Sequence, residues 1–140
     1  MPRPDLVLYR DGKPIAIVEA KARRVSEPYR KAVLHQLKTA ARYVKTPWSI
    51  LVDPHQTLIF REDDMDHPLV TLPTRDVLNN SDFSGSRIIG ERVLVRAVDQ
   101  WLRNLQHRHE LAPGPPGLQE FLEDLGERFT HREEWQAGDR

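Results

Sequence analysis

Two short apolar runs flanking a turn constrain this chain most. Residues 5–10 (DLVLYR) and 15–21 (IAIVEAK) are rich in β-branched, aliphatic and aromatic residues, and Asp11-Gly12-Lys13-Pro14 lies between them as a turn signal. The pair reads as a β-hairpin. Strand residues alternate faces, so Glu19 and Lys21 point the same way. Whether Asp5 joins them depends on the turn. If Arg10 pairs with Pro14 across a three-residue loop, position 5 lies opposite position 19. A strict two-residue loop at Asp11-Gly12 pairs 5 with 18 and sends Asp5 to the other face. Convergence of the three side chains therefore requires an odd-length loop or a bulge.

Past the hairpin, Ser26 precedes Glu27 and Pro28 as a helix start. Tyr29, Val33, Leu37, Ala40, Ala41 and Val44 then recur at helical spacing until Pro47. This predicts an amphipathic helix over 27–45. WSILVD (48–53) and QTLIFR (56–61) read as two further strands, and 67–73 as another strand or an edge segment, since proline limits ladder hydrogen bonding. Residues 74–90 lack periodicity and read as mostly loop. Leu94, Val98, Trp101, Leu102 and Leu105 share one face of a helix over 91–108 that packs back on the sheet. Residues 112–117 (APGPPG) form a linker. Leu118, Phe121, Leu122, Leu125 and Phe129 then follow at helical spacing among acidic residues, which predicts a short acidic helix docking on its own domain or on a partner. The expected organisation is one domain over 1–112, followed by a linker and C-terminal helix over 113–140.

The 140 residues suffice for one modest core. With no cysteine, the chain has neither disulfides nor thiolate chemistry, and any metal would be a hard one held by oxygen or imidazole. No apolar run is long enough for a membrane span and no signal peptide is visible, so a cytoplasmic location is expected. The formal charge of zero hides a polarity. Residues 1–61 hold 12 Lys/Arg and 5 Asp/Glu, or +7, and residues 62–140 hold 9 and 16, or −7. Such asymmetry suits a front that binds polyanions and an acidic rear, or simply a polarised solvated surface.

Given the odd register, two carboxylates and an ammonium meet in a sheet otherwise made of Val, Ile and Leu. Like charges brought together there repel and lose hydration unless a cation compensates. Mg²⁺ takes few protein carboxylates, keeps several waters and binds phosphate oxygens. Lys21 could orient a water or stabilise charge that builds in a transition state. The plainer reading is a surface hairpin with an ordinary Glu19–Lys21 ion pair.

The run RPDLVLYRDGKPIAIVEAKA resembles the PD-(D/E)xK nuclease signature, with Pro4-Asp5 as its PD element and Glu19-Ala20-Lys21 as its ExK element. It is most similar to the N-terminal nuclease domain of type I restriction enzyme R subunits, over roughly residues 3–61. That resemblance implies an α/β (α+β) fold, a restriction-endonuclease-like mixed sheet flanked by helices. It implies Mg²⁺ (or Mn²⁺) bound by Asp5, Glu19 and the Ala20 carbonyl, Lys21 assisting the nucleophilic water, and Gln36 on the following helix, with Tyr43 two turns later, as further site residues. The implied activity is hydrolysis of DNA phosphodiesters in restriction and modification. Relatives open with a helix carrying another acidic ligand and a strand, whereas only Met1, Pro2 and Arg3 precede the PD element here. On this reading the front helix and first strand are missing. Either the start codon is misplaced, or a homodimer or partner subunit supplies them, or the chain is a remnant that binds DNA without cutting it. No GxxxxGK[ST] loop is present, so no ATP-driven motor is expected.

From Lys21 to Lys45 there are eight Lys/Arg and one acid, Glu27. Arg23, Arg24, Arg30, Lys31, Lys38 and Arg42 are the candidate phosphate contacts, which would position DNA without reading its sequence. Each could equally be part of a solvated helix face. His35, and the pair His107 and His109, read as surface histidines, and residues 62–66 (EDDMD) as a solvated turn. Three functions follow: a Mg²⁺-dependent endonuclease, a catalytically inactive DNA-binding module of the same fold, and a protein-interaction subunit centred on the acidic helix.

Overall fold

The hairpin forms with the tightest turn that its sequence allows. In a computed structural model describing residues 4–79, 90–107 and 115–133, strands β1 (Leu6–Arg10) and β2 (Lys13–Ala20) are joined by Asp11 and Gly12 alone. Both turn residues have positive φ, 54° and 78°, the pairing that matches the right-handed twist of a hairpin. Arg10 pairs with Lys13 and Tyr9 with Pro14, after which the register shifts. Leu8 pairs with Ala16, Val7 with Ile17 and Leu6 with Val18. Ile15 is the extra residue of a β-bulge.

The bulge has a packing cause. Ile15 and Ala16, although consecutive, both pack against the larger apolar cluster, while Ile17 packs against the smaller one on the opposite face. Had the two-residue turn continued without a bulge, Ile17 and Glu19 would fall on the face of Leu6 and Leu8, putting a carboxylate into the larger core.

The chain then crosses through helix α1 (Tyr29–Val44) to strand β3 (Trp48–Val52), which pairs with β2 in parallel from Ala16↔Trp48 to Ala20↔Val52. The helix starts two residues later than expected and ends at Lys45, which takes a left-handed conformation and donates its N–H to the Ala41 carbonyl. Antiparallel β4 (Gln56–Arg61) and β5 (Val70–Pro73) follow, with Pro73 ending the edge strand.

Two expectations for the later chain need correction. Thr74–Asn79, read as loop, is a short helix, α2, seated by Val77 and by the buried Thr74 hydroxyl. That hydroxyl donates to the Asp53 carbonyl (2.6 Å) and meets Thr57 Oγ1 at 3.0 Å. Six residues are too few for a periodic signal. The remainder of that expected loop, residues 80–89, lies outside the described residues, as do His109 and residues 112–114.

Helix α3 (Glu91–His107) buries Leu94, Val98, Trp101 and Leu102 as their spacing predicts. The C-terminal segment is not one helix. Helix α4 (Leu118–Leu125) is followed by β6 (Thr130–Glu133), which pairs with β1. Phe129 sits between them, 2% exposed, in the same core as Leu118, Phe121, Leu122 and Leu125.

Among the described residues the sheet has six strands in the order β5-β4-β3-β2-β1-β6, with β2 and β3 parallel and the other neighbours antiparallel. The smaller cluster packs α1 on one face, and the larger packs residues of α2, α3 and α4 on the other. This is the mixed, helix-flanked sheet that the resemblance implies. No described helix is long and apolar enough to cross a membrane.

Candidate active site

The bulge fixes the face of Glu19. The β1–β2 register runs to Leu6 opposite Val18, and Asp5, just before β1, donates its N–H to the same Val18 carbonyl, so the regular alternation stops there. Ile17, two residues before Glu19 on β2, lies in the cluster under α1, so Glu19 is on the α1 face of the sheet, and Asp5 reaches the amide of the next residue, Ala20, with its side chain. Lys21 lies just beyond β2, half-buried. Its amide donates to the Val52 carbonyl at 2.9 Å, which carries the parallel ladder one residue further and keeps Lys21 on the face of Glu19.

Both carboxylates are buried, Asp5 at 2% exposure and Glu19 at 8%. Asp5 is fixed from two directions. Its N–H donates to the Val18 carbonyl (3.0 Å), and its Oδ2 accepts the Ala20 N–H at 2.9 Å. The side chain thus takes the place of a main-chain acceptor where the β1–β2 ladder ends. Such charge-assisted bonds hold the carboxylate in one orientation while leaving it further acceptor capacity.

The donors available to a cation here are the Asp5 and Glu19 carboxylates and the main chain at Ala20. Among the described residues no group of three or more acidic or histidine side chains is placed to hold a metal. Two carboxylates fit Mg²⁺ or Mn²⁺, hard ions that bind through few protein oxygens and retain waters, better than a fully protein-enclosed ion.

The other candidate residues do not form a single patch. Arg23 and Arg24 are exposed in the segment directly after Lys21, and the Arg23 guanidinium lies over the Tyr29 ring at 4.3 Å. On α1 the buried stripe is Val33, Leu37, Ala40 and Ala41. At about 3.6 residues per turn, Gln36 and Tyr43 flank it on one side, and Arg30, Lys38 and Lys45 on the other, with Lys31 and Arg42 toward solvent. Lys38 is ion-paired with Asp66, in the segment after β4. This flank borders a groove of about 520 Å³ lined by Arg42, Lys45, Thr46, Glu62 and Met65. The Gln36 flank lies on the opposite side of the buried stripe. Gln36 is exposed and Tyr43 is 59% exposed.

The acidic turn after β4 is solvated, as expected. Within it, the hydrogen bond from His67 holds the Asp64 carboxyl below its ordinary range, helped by the N–H groups of Asp66 and His67.

Sequence reading missed one buried acid, Asp53. It is 4% exposed, and its carboxylate accepts the N–H groups of Val25 (2.8 Å), His55 (2.7 Å) and Gln56 (2.7 Å). The available signal was Asp-Pro at a strand end, which favours a turn.

No curated protein and no solved structure matches this chain. Residues 2–67 match the family described as type I restriction enzyme R protein N terminus. That span covers the hairpin, α1, β3 and β4, and with them every residue discussed as a candidate ligand, base or phosphate contact. Over residues 2–67, the chain is close to the N-terminal nuclease domain of type I restriction enzyme R subunits.

Proposed function

We propose that this chain is a Mg²⁺-dependent DNA endonuclease domain of the restriction type. The observation that supports the reading is the pair of buried carboxylates at the end of one hairpin, with Asp5 bonded to the Ala20 amide next to Glu19 and Lys21 following in sequence. Burying two carboxylates near one another is unfavourable unless positive charge compensates them. Asp5, Glu19 and the Ala20 carbonyl would hold Mg²⁺ or Mn²⁺. When bound, the cation supplies charge neutralisation at a phosphoryl group and lowers the pKa of water.

Asp5, locked by the Ala20 amide, orients the binding face. Lys21 brings a positive charge to the point where a phosphodiester would gain negative charge during attack. Arg23 and Arg24 continue that positive surface along the chain and would contact backbone phosphates. Arg30, Lys31 and Arg42 on α1 extend it, while Lys38 is engaged by Asp66. Gln36 and Tyr43, exposed on the flank of α1 away from Lys38, would approach the same substrate.

Cleavage of supercoiled and linear DNA with Mg²⁺ or Mn²⁺ tests this, comparing the intact chain with Lys21→Ala at matched purity. Metal-dependent cleavage by the chain that falls roughly 100-fold or more in the variant is the expected result. A second reading, an inactive DNA-binding module of the same fold, is favoured by the lack of a third acidic ligand among the described residues. Salt-sensitive DNA binding with equal, negligible cleavage by both proteins would establish it. An interaction subunit built on the acidic helix has less support, because Leu118, Phe121, Leu122 and Leu125 are all buried in the chain's own core.

A further inference from the structure

Asp53 is a buried carboxylate for which the chemistry above has no use. It follows β3 directly and lies beside Lys21, since Ala20 pairs with Val52 and the Lys21 amide bonds the Val52 carbonyl. Three main-chain donors occupy it. Oδ1 takes the N–H groups of His55 and Gln56, two and three residues on, which is how an aspartate ordinarily closes a turn. Oδ2 does something the turn does not require. It reaches back 28 residues to accept the Val25 N–H at 2.8 Å. With both oxygens engaged by the main chain, the group is arranged to hold backbone rather than a cation.

The segment from Lys21 is thus tied twice at the end of β3, by the Lys21 amide to Val52 and by the Val25 amide to Asp53. Val25 is also anchored by its side chain, 8% exposed, in the cluster under α1. Only Ala22, Arg23 and Arg24 lie between the two ties. A segment this short with both ends fixed retains little conformational freedom. Asp53 is itself braced, its carbonyl accepting the Thr74 hydroxyl and its N–H donating to the Gln56 carbonyl at 3.0 Å.

We propose that Asp53 is a positioning residue for the nuclease site: its bond to the Val25 amide sets the path of residues 21–25 and so aims Lys21 at the reacting phosphate and Arg23 and Arg24 at the flanking backbone. The proposal rests on the nuclease reading, and the measurements separate the two.

Asp53→Asn is the selective variant. Its carbonyl oxygen can still serve the turn, but its NH₂ group then faces the Val25 N–H, donor against donor. Thr74→Val is the control, cutting the other brace on Asp53 while leaving the Val25 bond. Hydrogen exchange, melting temperature, DNA affinity and the kcat and KM of cleavage are measured on both. In the wild type the Val25 amide should exchange as slowly as those of β3, with Arg23 and Arg24 exchanging fast. Asp53→Asn should speed Val25 exchange by on the order of tenfold. It should also lower kcat roughly 10- to 100-fold and raise KM, whereas Thr74→Val at a similar melting temperature should keep the wild-type kcat.

A fast Val25 amide in the wild type, wild-type kcat in Asp53→Asn, or an equal loss in Thr74→Val overturns the proposal. Absence of cleavage by the wild type refutes the nuclease reading instead. DNA affinity then decides the positioning of Arg23 and Arg24: a several-fold loss in Asp53→Asn alone supports it, and unchanged affinity overturns it.

Discussion

Replacing Glu19 by glutamine should make the metal-free protein more stable and the metal-loaded protein less responsive. Neighbouring side chains across a hairpin have Cβ atoms about 4.5–5.5 Å apart, and two charges at about 5 Å are the case that the variant tests. At an effective dielectric of about 20 they repel by about 3 kcal/mol. Lys21, on the same face, offsets part of this, leaving about 1–3 kcal/mol for the variant to recover. For a chain of this size that raises the metal-free melting temperature by roughly 3–10 °C. The wild type, in turn, gains about 1.4 kcal/mol when Mg²⁺ stands tenfold above its Kd, a gain the variant should lack because one ligand is gone. Glu19 is the better choice than Asp5, whose Oδ2 accepts the Ala20 amide, because removing that acceptor would add an unrelated loss. Thermal unfolding in EDTA and in millimolar MgCl₂ reads both effects. A variant that melts lower in EDTA and keeps the wild-type Mg²⁺ shift would refute the idea that these carboxylates form a cation site.

Other expectations concern the binding surface, the C-terminal segment and the acidic turn. Arg23→Ala with Arg24→Ala should reduce the slope of log K against log salt for duplex DNA by about 1.8, since each phosphate contact contributes about 0.9; an unchanged slope would remove both from the interface. Phe121→Ala should cost about 3–5 kcal/mol in urea unfolding, because its ring is fully buried and meets Trp48 edge-on at 5.1 Å. A loss under about 1 kcal/mol would mean that α4 is not part of the core. His67→Ala should return the Asp64 carboxyl toward its usual range, as the His67 hydrogen bond is the largest cause of its depression. A depressed folded pKa stabilises above the ordinary aspartate range and loses that stabilisation as pH falls through the folded value, so the variant should lose a small contribution near neutral pH and little in acid. A carboxyl NMR titration follows it, and an Asp64 that titrates as in the wild type would contradict the assignment.

Much of this architecture is written in local sequence. Hairpin, α1, β3, β4 and α3 follow from periodicities that extend over enough residues to be read, and the Pro4-Asp5 and Glu19-Ala20-Lys21 motifs, together with the order of hairpin, helix and two strands, carry the resemblance. The illegible parts share a cause. Thr74–Asn79 is too short for a helical period and is held by hydroxyl bonds to Asp53 and Thr57. Phe129 continues the spacing of α4, yet the chain turns after Leu125 and spends that aromatic between helix and strand. Asp53 looks like an ordinary turn former until Val25 is brought to it.

By itself, then, the sequence determined element types, the common face of Glu19 and Lys21, and the narrow choice between registers that include or exclude Asp5. Local geometry is enough for those, because a strand alternates and a helix repeats whatever surrounds it. Only the tertiary structure decided the choice. A two-residue turn at Asp11-Gly12, taken alone, would have sent Glu19 to the face of Leu6 and Leu8, but the larger core takes both Ile15 and Ala16, and the resulting bulge turns Glu19 to the α1 face, next to the Ala20 amide that Asp5 holds. Burial of one isoleucine on one side of the sheet thus sets where the charges lie on the other, a coupling between residues that meet only once both faces are packed.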